Sequence, residues 1–344
     1  MKTVYVGLSG GVDSSVSALL LKQQGYRVVG VYMKNWSRDL PGFECPWKQD
    51  YQDAKRVAVQ LGVDFEMFDF ESEYKHKVVD YMIAEYKVGH TPNPDVMCNQ
   101  EIKFKLFYDL AKNKGADLIA TGHYARTKNG LLYTGLDSNK DQSYFLYRVT
   151  SEALKNTIFP LGEMLKPDVK KLAAQHNLIT ANKKESMGIC FVGKVGIKEF
   201  LLQYVKPKIG KIIDQDGSEV GEHDGAIFYT IGQRHGLNVG GGLPYYIAGK
   251  NMAKNEIYVT TKLDDQRLWS DQLKLTLVHW IANKPKTGKL YDIRTRYRSP
   301  LVKCQLKGSS FDSVILQDPI KAVTAGQSAV IYDGDQVLGG GIVV

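Results

Sequence analysis

The segment Ser9–Ser15 (SGGVDSS) constrains the fold of this chain more than any other part of the sequence. It joins an apolar run at residues 3–8 (TVYVGL) to residues 13–24, whose apolar side chains fall on one side of a helix. Two glycines in such a turn let the backbone approach a ligand closely, and the helix N-terminus adds N–H groups and a positive dipole end. The segment therefore predicts a strand–loop–helix unit with an anion site at the turn. The alternative is an ordinary glycine-rich turn with a Ser/Asp cap.

The first half of the chain continues as short apolar strands that alternate with amphipathic helices. Strands are predicted at 27–33, 63–69 and 117–121, and helices at about 49–61, 71–87 and 101–113. This alternation is typical of an α/β fold in which helices cover both faces of a parallel sheet. Ligands of such sheets bind at the carboxyl ends of the strands, where the glycine-rich loop lies.

The pattern changes after a predicted helical stretch over about 141–204. Residues 208–262 give short strands with turn signals at Asp216-Gly217 and near Lys254-Asn255, and residues 273–344 do the same with a hairpin at Asp333-Gly334. We predict an α/β nucleotide-binding domain followed by a small β-rich domain and a C-terminal β-barrel, with bounds of 1–205, 206–265 and 266–344.

Charge and cysteine usage narrow the class of protein. The net charge is +8 and the pI about 9.0, which suits a polyanionic partner, although many basic proteins bind no nucleic acid. The four cysteines form neither a CxxC pair nor a zinc-ligand spacing, so we expect no metal site and no disulfide framework. The N-terminal residues resemble no targeting leader and no apolar run reaches about 20 residues, so we expect a cytoplasmic protein without membrane contact.

Two of the cysteines lie in surroundings that favour a thiolate. Cys98 follows a segment stiffened by two prolines (HTPNPDVMCN) and precedes the predicted helix start near Glu101, where free N–H groups lower a thiol pKa. Cys190 follows two lysines. For either cysteine taken alone, a buried inert thiol remains the commoner fate. Cys45 and Cys304 are predicted to be such packing thiols.

Residues 290–298 (LYDIRTRYR) alternate strictly, so a strand would place Arg294, Arg296 and Arg298 on one face. Three guanidinium groups in a row predict a comb of phosphate contacts with Tyr297 beside it. A solvated face of the barrel is the alternative.

The glycine-rich loop lacks the Gly-Lys-Ser/Thr ending of a Walker A motif and has the SGGxDS form of ATP pyrophosphatases. With further motifs in the same order along nearly the whole chain, the sequence resembles the tRNA-specific 2-thiouridylases. The matching segments are GLSGGVDSS (7–15), TPNPDVMCNQEIKF (91–104), ATGHY (120–124), GLDSNKDQSYFL (135–146), GICF (188–191), TIGQRHG (230–236), TRYR (295–298) and TAGQSAV (324–330).

The resemblance implies that ATP adenylates the C2 oxygen of a wobble uridine in tRNA and that pyrophosphate leaves. Cys190 then carries a persulfide that delivers sulfur to C2, giving 2-thiouridine and AMP. Cys98 is implied as the second catalytic thiol, which attacks the persulfide or the activated base and ends in a disulfide with Cys190. Asp95 is implied as the acid or base. A persulfide donor such as a cysteine desulfurase or a relay protein is implied as partner.

The resemblance also assigns binding residues. ATP is expected at Gly7, Leu8, Ser9, Gly10, Gly11, Val12, Asp13, Ser14, Met33 and Gly122, with Mg²⁺ accompanying the triphosphate rather than held in a protein cage. The target base is expected at Asn93, Pro94 and Asp95, and other parts of the tRNA at His123, Lys140, Asp141, Gln142, Tyr297, Arg298 and Gln327.

Three other functions explain part of the sequence. An amidating ligase of the same ATP-pyrophosphatase superfamily would use the glycine-rich loop but needs neither the cysteine pair nor the barrel. A tRNA-binding protein without chemistry would use the positive charge but leaves Asp95 and Cys98 idle. A 4-thiouridine or 2-thiocytidine synthase would normally carry an added RNA-binding or metal-cysteine module, which we do not find.

Overall fold

A computed structural model describes residues 1–42, 44–184, 196–237, 239–240, 242 and 244–344. The strands of its first domain are β1 (Thr3–Gly7), β2 (Arg27–Lys34), β3 (Asp64–Asp69), β4 (Leu118–Ala120), β5 (Ala125–Lys128), β6 (Leu131–Thr134) and β7 (Thr157–Ile158). Among the described residues, a parallel sheet has the order β3-β2-β1-β4-β7. The predicted parallel sheet is confirmed, and β1 lies at its centre with the glycine-rich loop at its carboxyl end.

Helices cover both faces of this sheet, as predicted. The helices are α1 (Val12–Gln23), α2 (Trp47–Leu61), α3 (Glu71–Tyr74), α4 (Asp80–Lys87), α5 (Pro94–Met97), α6 (Phe107–Asn113), α7 (Ser151–Lys155), α8 (Lys166–Gln175) and α9 (Ile197–Leu201). Val4 and Val6 of β1 pack in a core with α1, α2 and α8, whereas Tyr5 packs in the opposite core with α4 and α6. The alternation of side chains along one strand thus separates two layers.

The helix predicted at 101–113 begins seven residues earlier than expected. α5 leads through a π-helical segment, Cys98–Leu106, directly into α6, and we call this continuous element helix 94–113. Pro94 occupies the first turn, and Asn93 Oδ1 caps it by accepting from the Val96 N–H at 3.4 Å. Cys98 therefore lies inside the helix, where its backbone N–H already donates to Pro94 and Asp95 carbonyls. Its predicted place before a helix N-terminus is wrong.

The long helical stretch predicted over 141–204 is also wrong. The described part holds a 3₁₀ turn (Ser143–Leu146), α7, β7, α8 and α9, separated by irregular chain. Pro160 and Pro167 interrupt helical hydrogen bonding, and Thr150 caps the start of α7. One continuous helix therefore cannot form. The structure also contains the unpredicted hairpin β5–β6, whose Asn129 and Gly130 both have positive φ, as a tight two-residue turn requires.

The remaining described residues form two β-structures. The central sheet contains β8 (Gly210–Ile213), β9 (Glu219–His223), β10 (Tyr246–Asn251) and β11 (Glu256–Thr260) in the order β10-β11-β8-β9. The C-terminal strands are β12 (Trp269–Trp280), β13 (Leu290–Arg294), β14 (Val302–Lys307), β15 (Ser313–Lys321), β16 (Ser328–Asp333) and β17 (Gln336–Val343). Within residues 269–343, which are all described, these six antiparallel strands close into a barrel through the pairing of β12 with β17.

A hairpin of the first domain joins the sheet of the C-terminal barrel. β6 pairs with the start of β17, with Leu132 opposite Val337, so the hairpin β5–β6 extends the barrel sheet. The segment after the hairpin is also tied to the barrel, because Tyr144 Oη donates to the Ser328 carbonyl at 2.9 Å. These contacts place the C-terminal barrel beside the carboxyl edge of the parallel sheet.

Candidate active site

The glycine-rich loop connects β1 to α1, and at one position, Gly10, its conformation is possible only for glycine. Gly10 has φ +74°, and a Cβ there would lie 2.4 Å from the Asp50 carbonyl oxygen. Gly11 is the N-cap residue of α1, so the first N–H groups of the helix face the loop. Ser14 Oγ accepts from the Ser9 N–H at 3.2 Å and donates to the Gly11 carbonyl, which holds the loop closed on the helix. A preformed loop of this kind can bind phosphate groups, and we call it the phosphate cradle.

Other residues expected at the nucleotide surround the cradle. A Cβ on Gly122 would lie 2.9 Å from the Ser14 nitrogen, so the chain after β4 packs directly on the start of α1. A Cβ on Gly7 would lie 2.9 Å from Met33 Cε. Leu8 is buried, and its N–H donates to the Val31 carbonyl at 2.7 Å, which extends the β1–β2 ladder to the loop. The structure thus brings Gly7, Met33 and Gly122 together around the loop.

Asp13, at the start of α1, has a cationic partner that the sequence does not mark. Lys166 Nζ lies 2.6 Å from Asp13 Oδ1, and Tyr124 Oη donates to the same oxygen at 2.9 Å. The Lys166 side chain is only 7% exposed, because α8 starts against the loop. Lys166 is one of many lysines in the chain, and no motif singles it out.

A cavity of about 260 Å³ opens over the loop. The loop residues Ser9, Gly11, Val12 and Asp13 form one side of it, and its other lining residues are Tyr124, Lys140, Gln142, Lys183, Lys184, Tyr297 and Arg298. Of all the lining residues, four are basic and only Asp13 is acidic, so the cavity suits an anionic ligand. Lys183 and Lys184, the two lysines that precede Cys190, thus lie at the phosphate cradle. Whether they also favour a thiolate at Cys190 stays a prediction, since Cys190 lies outside the described residues.

Lys183 is held in place by acidic partners. Its Nζ lies 2.7 Å from Asp50 Oδ1 and 2.6 Å from Asp53 Oδ2. Burial opposes the charged form, but these two hydrogen bonds prevail and raise the pKa of Lys183 above its ordinary value. The ammonium group is therefore held in its charged form on the cavity wall, where the two carboxylates balance its charge. In sequence it lies just before the segment that carries Cys190.

The residues expected around the target base occupy the start of helix 94–113. Asn93 caps the helix, and burial raises the pKa of Asp95 above the ordinary carboxyl value, against a smaller opposing effect of Lys103. Cys98 is 4% exposed. The next residue, Asn99, donates to the Phe145 carbonyl at 3.1 Å, and the Phe145 ring packs 4.5 Å from that of Tyr297. One short chain of contacts thus connects the helix that carries Cys98 to the wall of the cavity.

His123 lies in an aromatic setting. Its ring packs against Phe104 and Phe159, with centroids 5.8 and 6.1 Å away, and Nδ1 lies 2.7 Å from Thr121 Oγ1. Burial, helped by the charge of Lys103, lowers the pKa of His123 well below its ordinary value. The imidazole is therefore neutral, and it is 8% exposed and not part of the lining of the cavity over the loop.

The cysteines fall into separate groups. Cys190, with the surrounding residues 185–195, lies outside the described residues. Cys45 and Cys304 are buried as predicted, and burial raises the pKa of Cys304 to about 12. Cys45 Sγ donates to the Trp36 carbonyl at 3.7 Å. Neither of these two thiols is placed for chemistry at the cavity.

Of the residues that were expected to contact tRNA, some line the cavity and others are buried inside the protein. Lys140, Gln142, Tyr297 and Arg298 line the cavity. Asp141 is 5% exposed, and its carboxylate accepts from Gly135 and Ser143 N–H groups and the Ser143 hydroxyl. Asp141 therefore holds the 135–143 loop together, which leaves little of it for a ligand.

The predicted comb of three arginines is wrong. β13 ends at Arg294, whose guanidinium packs over the Tyr332 ring at 5.7 Å. Arg296 donates to the Ile231 and Ala322 carbonyls at 3.1 and 2.5 Å, so it joins the central domain to the barrel. Arg298 alone of the three lines the cavity, and it packs over Tyr297 at 5.1 Å. Alternation along a strand does not place the three guanidinium groups on one face, because the strand ends at Arg294 and protein groups bind the first two.

Among the described residues, no cluster of three or more His, Cys, Asp or Glu is arranged to hold a metal ion. Every helix in the described part of the chain is too short or too polar to cross a bilayer.

Comparison with known proteins gives matches along nearly the whole chain. Residues 2–194 match a family model described as a tRNA methyl transferase HUP domain, 198–261 one described as a tRNA methyl transferase PRC-barrel domain, and 270–343 one described as an aminomethyltransferase β-barrel domain. The tRNA-specific 2-thiouridylase MnmA of Neisseria meningitidis serogroup C is 50% identical, over 99% of this chain and 95% of that protein. The proteins of the same name from Shigella boydii and Streptococcus thermophilus are 46% and 45% identical, over 99% of this chain and 96% and 94% of theirs. On these matches, and with a phosphate cradle beneath a basic cavity, the chain belongs to the tRNA-specific 2-thiouridylase family.

Proposed function

We propose that this enzyme converts the wobble uridine of tRNA to 2-thiouridine in two chemical steps. The observation that carries the proposal is the basic cavity over the glycine-rich loop, whose walls also include the expected tRNA residues Tyr297 and Arg298. One site can therefore hold the triphosphate of ATP and the tRNA together. The name shared by the full-length relatives supports uridine as the target.

In the first step, the C2 oxygen of uridine attacks the α-phosphate of ATP and pyrophosphate leaves. A uridine carbonyl is a poor electrophile, and adenylation turns its oxygen into a leaving group. The N-terminus of α1 stabilises the negative charge of the departing pyrophosphate, and Lys184, which lines the same cavity, adds positive charge. Mg²⁺ would neutralise part of the triphosphate charge when bound with it.

Asp95 is the group we assign to accept the N3 proton that uridine must lose as its oxygen attacks. Burial raises the pKa of this carboxyl, which makes it a better proton acceptor than an exposed aspartate. Asn93 and Pro94, at the same helix start, are proposed to contact the base after it leaves the anticodon stack. Neutral His123, between two phenylalanine rings, is proposed to contact the flipped nucleotide.

In the second step, the terminal sulfur of a persulfide on Cys190 attacks C2 and displaces AMP. The Cys98 thiolate then attacks the inner sulfur, which leaves the base as 2-thiouridine and the two cysteines as a disulfide. Atoms and electrons balance, since the two thiol sulfurs supply the electrons that reduce the transferred sulfur. A persulfide donor must reload Cys190 and a reductant must open the disulfide.

We assign the enzyme to the cytoplasm, where tRNA and ATP are available.

Three rival functions fit the observations less well. An amidating ligase would use the cradle but gives no reason for Tyr297 and Arg298 on the cavity wall. A binding protein without chemistry gives no reason for a phosphate cradle, nor for the burial that raises the pKa of Asp95. Methyl transfer, which the descriptions of two family models name, requires no triphosphate site at all.

Product analysis with four serine variants tests this proposal. Cys190→Ser should accept no sulfur from a persulfide donor, whereas Cys98→Ser should accept it but stall before releasing 2-thiouridine. Both should still bind ATP and tRNA, because the cradle is unchanged. Cys45→Ser and Cys304→Ser serve as matched controls and should retain activity. Labelled sulfur on Cys98 and never on Cys190 would reverse the assignment, and full activity of both catalytic variants would refute thiolation by this route.

A further inference from the structure

Thr91 lies where the first domain, the central domain and the barrel meet, two residues before the N-cap of helix 94–113. We propose that the C-terminal barrel sets the position of Asp95 and Cys98 through this junction, with Gln327 as the positioning residue. The inference rests on the catalytic roles proposed above for Asp95 and Cys98. It gives Gln327, which the sequence suggests as a tRNA contact, a different role.

Every polar group of Thr91 is held by another domain. Its N–H donates to the Ala325 carbonyl at 2.8 Å, and its carbonyl accepts from Gln327 Nε2 at 2.6 Å. Its hydroxyl lies 3.2 Å from the Thr230 hydroxyl of the central domain. Thr91 is 9% exposed, so these bonds are largely shielded from water and removing one leaves a buried carbonyl unsatisfied.

The barrel side of the junction is rigid. The Gly326 N–H donates to the Val343 carbonyl and the Val343 N–H to the Gln327 carbonyl, both at 2.9 Å, which ties the loop to β17. Gly326 has φ +89°, and a Cβ there would lie 2.8 Å from His90 Cβ and 2.9 Å from the Thr91 nitrogen. Only glycine allows the two backbones to approach this closely, so the loop is shaped to abut residues 90–91.

The connection from Thr91 to the helix is short and stiff. Pro92 and Pro94 fix two of the three backbone φ angles before Asp95, and both prolines are buried. A shift of Thr91 is therefore passed to the helix start rather than absorbed by the chain between them.

A second set of hydrogen bonds connects the same helix to the barrel further along the chain. Arg148 donates through Nε to the Gln100 side-chain oxygen and through a terminal nitrogen to the Leu277 carbonyl at 2.6 Å. Leu277 belongs to β12 of the barrel and has φ +48°, at an irregularity in the β12–β17 pairing. Asp95 and Cys98 thus lie between two points, Thr91 and Gln100, that are each bonded to the barrel directly or through one side chain.

The test uses Gln327→Met, which keeps the side-chain length and removes the donor without adding charge, with Gln327→Ala as a second variant. Gln272→Met, on an exposed part of β12, is the matched control. With tRNA absent, amide hydrogen exchange in residues 91–99 should be faster in both Gln327 variants than in the control. The single-turnover rate of 2-thiouridine formation should fall roughly 10- to 100-fold, as expected when reacting groups are misplaced by up to an ångström. The Kd for tRNA should change less than about twofold.

Two results would overturn the inference. A raised Kd for tRNA with unchanged exchange in residues 91–99 would make Gln327 a tRNA contact. If hydrogen exchange in residues 91–99, the single-turnover rate and the Kd for tRNA were all unchanged, the junction would not set the position of Asp95 and Cys98. Failure of the proposed chemistry is seen separately, because the exchange measurement needs neither ATP nor tRNA and stays informative even if Cys98→Ser proves active.

Discussion

Replacing Gly122 with alanine adds one methyl group where the chain after β4 packs on the phosphate loop. The new Cβ would lie 2.9 Å from the Ser14 nitrogen and 3.0 Å from the Asp13 carbonyl carbon, about 0.5 Å inside ordinary contact at 3.4 Å. Both neighbours are backbone atoms, so neither can rotate away. Either β4 or the first turn of α1 must shift, and the cradle changes shape.

We expect Gly122→Ala to lower the stability of the protein moderately and to weaken ATP binding more strongly. Overpacking of this kind costs about 1–3 kcal/mol, partly offset by about 0.4–1 kcal/mol from the reduced freedom of the unfolded chain. The net cost is about 0–2.6 kcal/mol, so we expect a Tm lower by up to about 10 °C if the first domain unfolds as a unit. If the shift weakens ATP binding tenfold, the stabilisation that a fixed, saturating ATP concentration gives falls by about 1.4 kcal/mol.

Thermal unfolding with and without ATP measures both effects, and Gly115→Ala is the control. Gly115 has φ +89°, and a Cβ there would have nothing within 4 Å, so alanine at this position costs about 1–2 kcal/mol of backbone strain far from the loop. Its ATP-dependent rise in Tm should equal that of the wild type. The reasoning is refuted if Gly122→Ala keeps the full ATP-dependent rise, since contact between β4 and α1 would then not shape the nucleotide site.

Three further predictions follow from the site. Because burial raises the pKa of Asp95, the single-turnover rate should rise with pH through a value above the ordinary carboxyl range, and Asp95→Asn should abolish that rise along with most of the rate. Arg298→Ala should weaken tRNA binding and make the plot of log K against log salt shallower by roughly 0.7–0.9, while ATP affinity changes less than about threefold. Lys166→Met should lower the free energy of unfolding by about 2 kcal/mol in urea titrations, between the costs of breaking exposed and buried pairs, because Asp13 loses the partner 2.6 Å away but stays partly exposed.

The local units of the fold could be predicted from the sequence. The strand–loop–helix at Ser9–Ser15 is encoded by neighbouring residues, and so are the turns at Asp216-Gly217 and Asp333-Gly334. The hairpin β5–β6 was missed although Asn129-Gly130 is a strong turn signal. Its four-residue strands carry little periodicity, and much of their stabilisation comes from pairing with β17, about 200 residues away in sequence.

Long-range contacts explain the errors in the site as well. Arg296 lies only two residues before Arg298, but it donates to backbone carbonyls of the central domain and the barrel. Lys166 reaches the phosphate loop only because α8 packs on α1. In each case the side chain's role depends on a partner more than 20 residues distant, which periodicity and spacing do not encode.

The origin of the oxygen in AMP tests the proposed chemistry most directly. We would supply tRNA carrying ¹⁸O at C2 of the wobble uridine, with ATP and a persulfide donor, and analyse the nucleotide by mass spectrometry. Adenylation of that oxygen predicts one ¹⁸O in the phosphate of AMP for each 2-thiouridine formed, together with pyrophosphate. Unlabelled AMP, or ADP with inorganic phosphate, would contradict the proposal that the loop holds ATP for attack by the base.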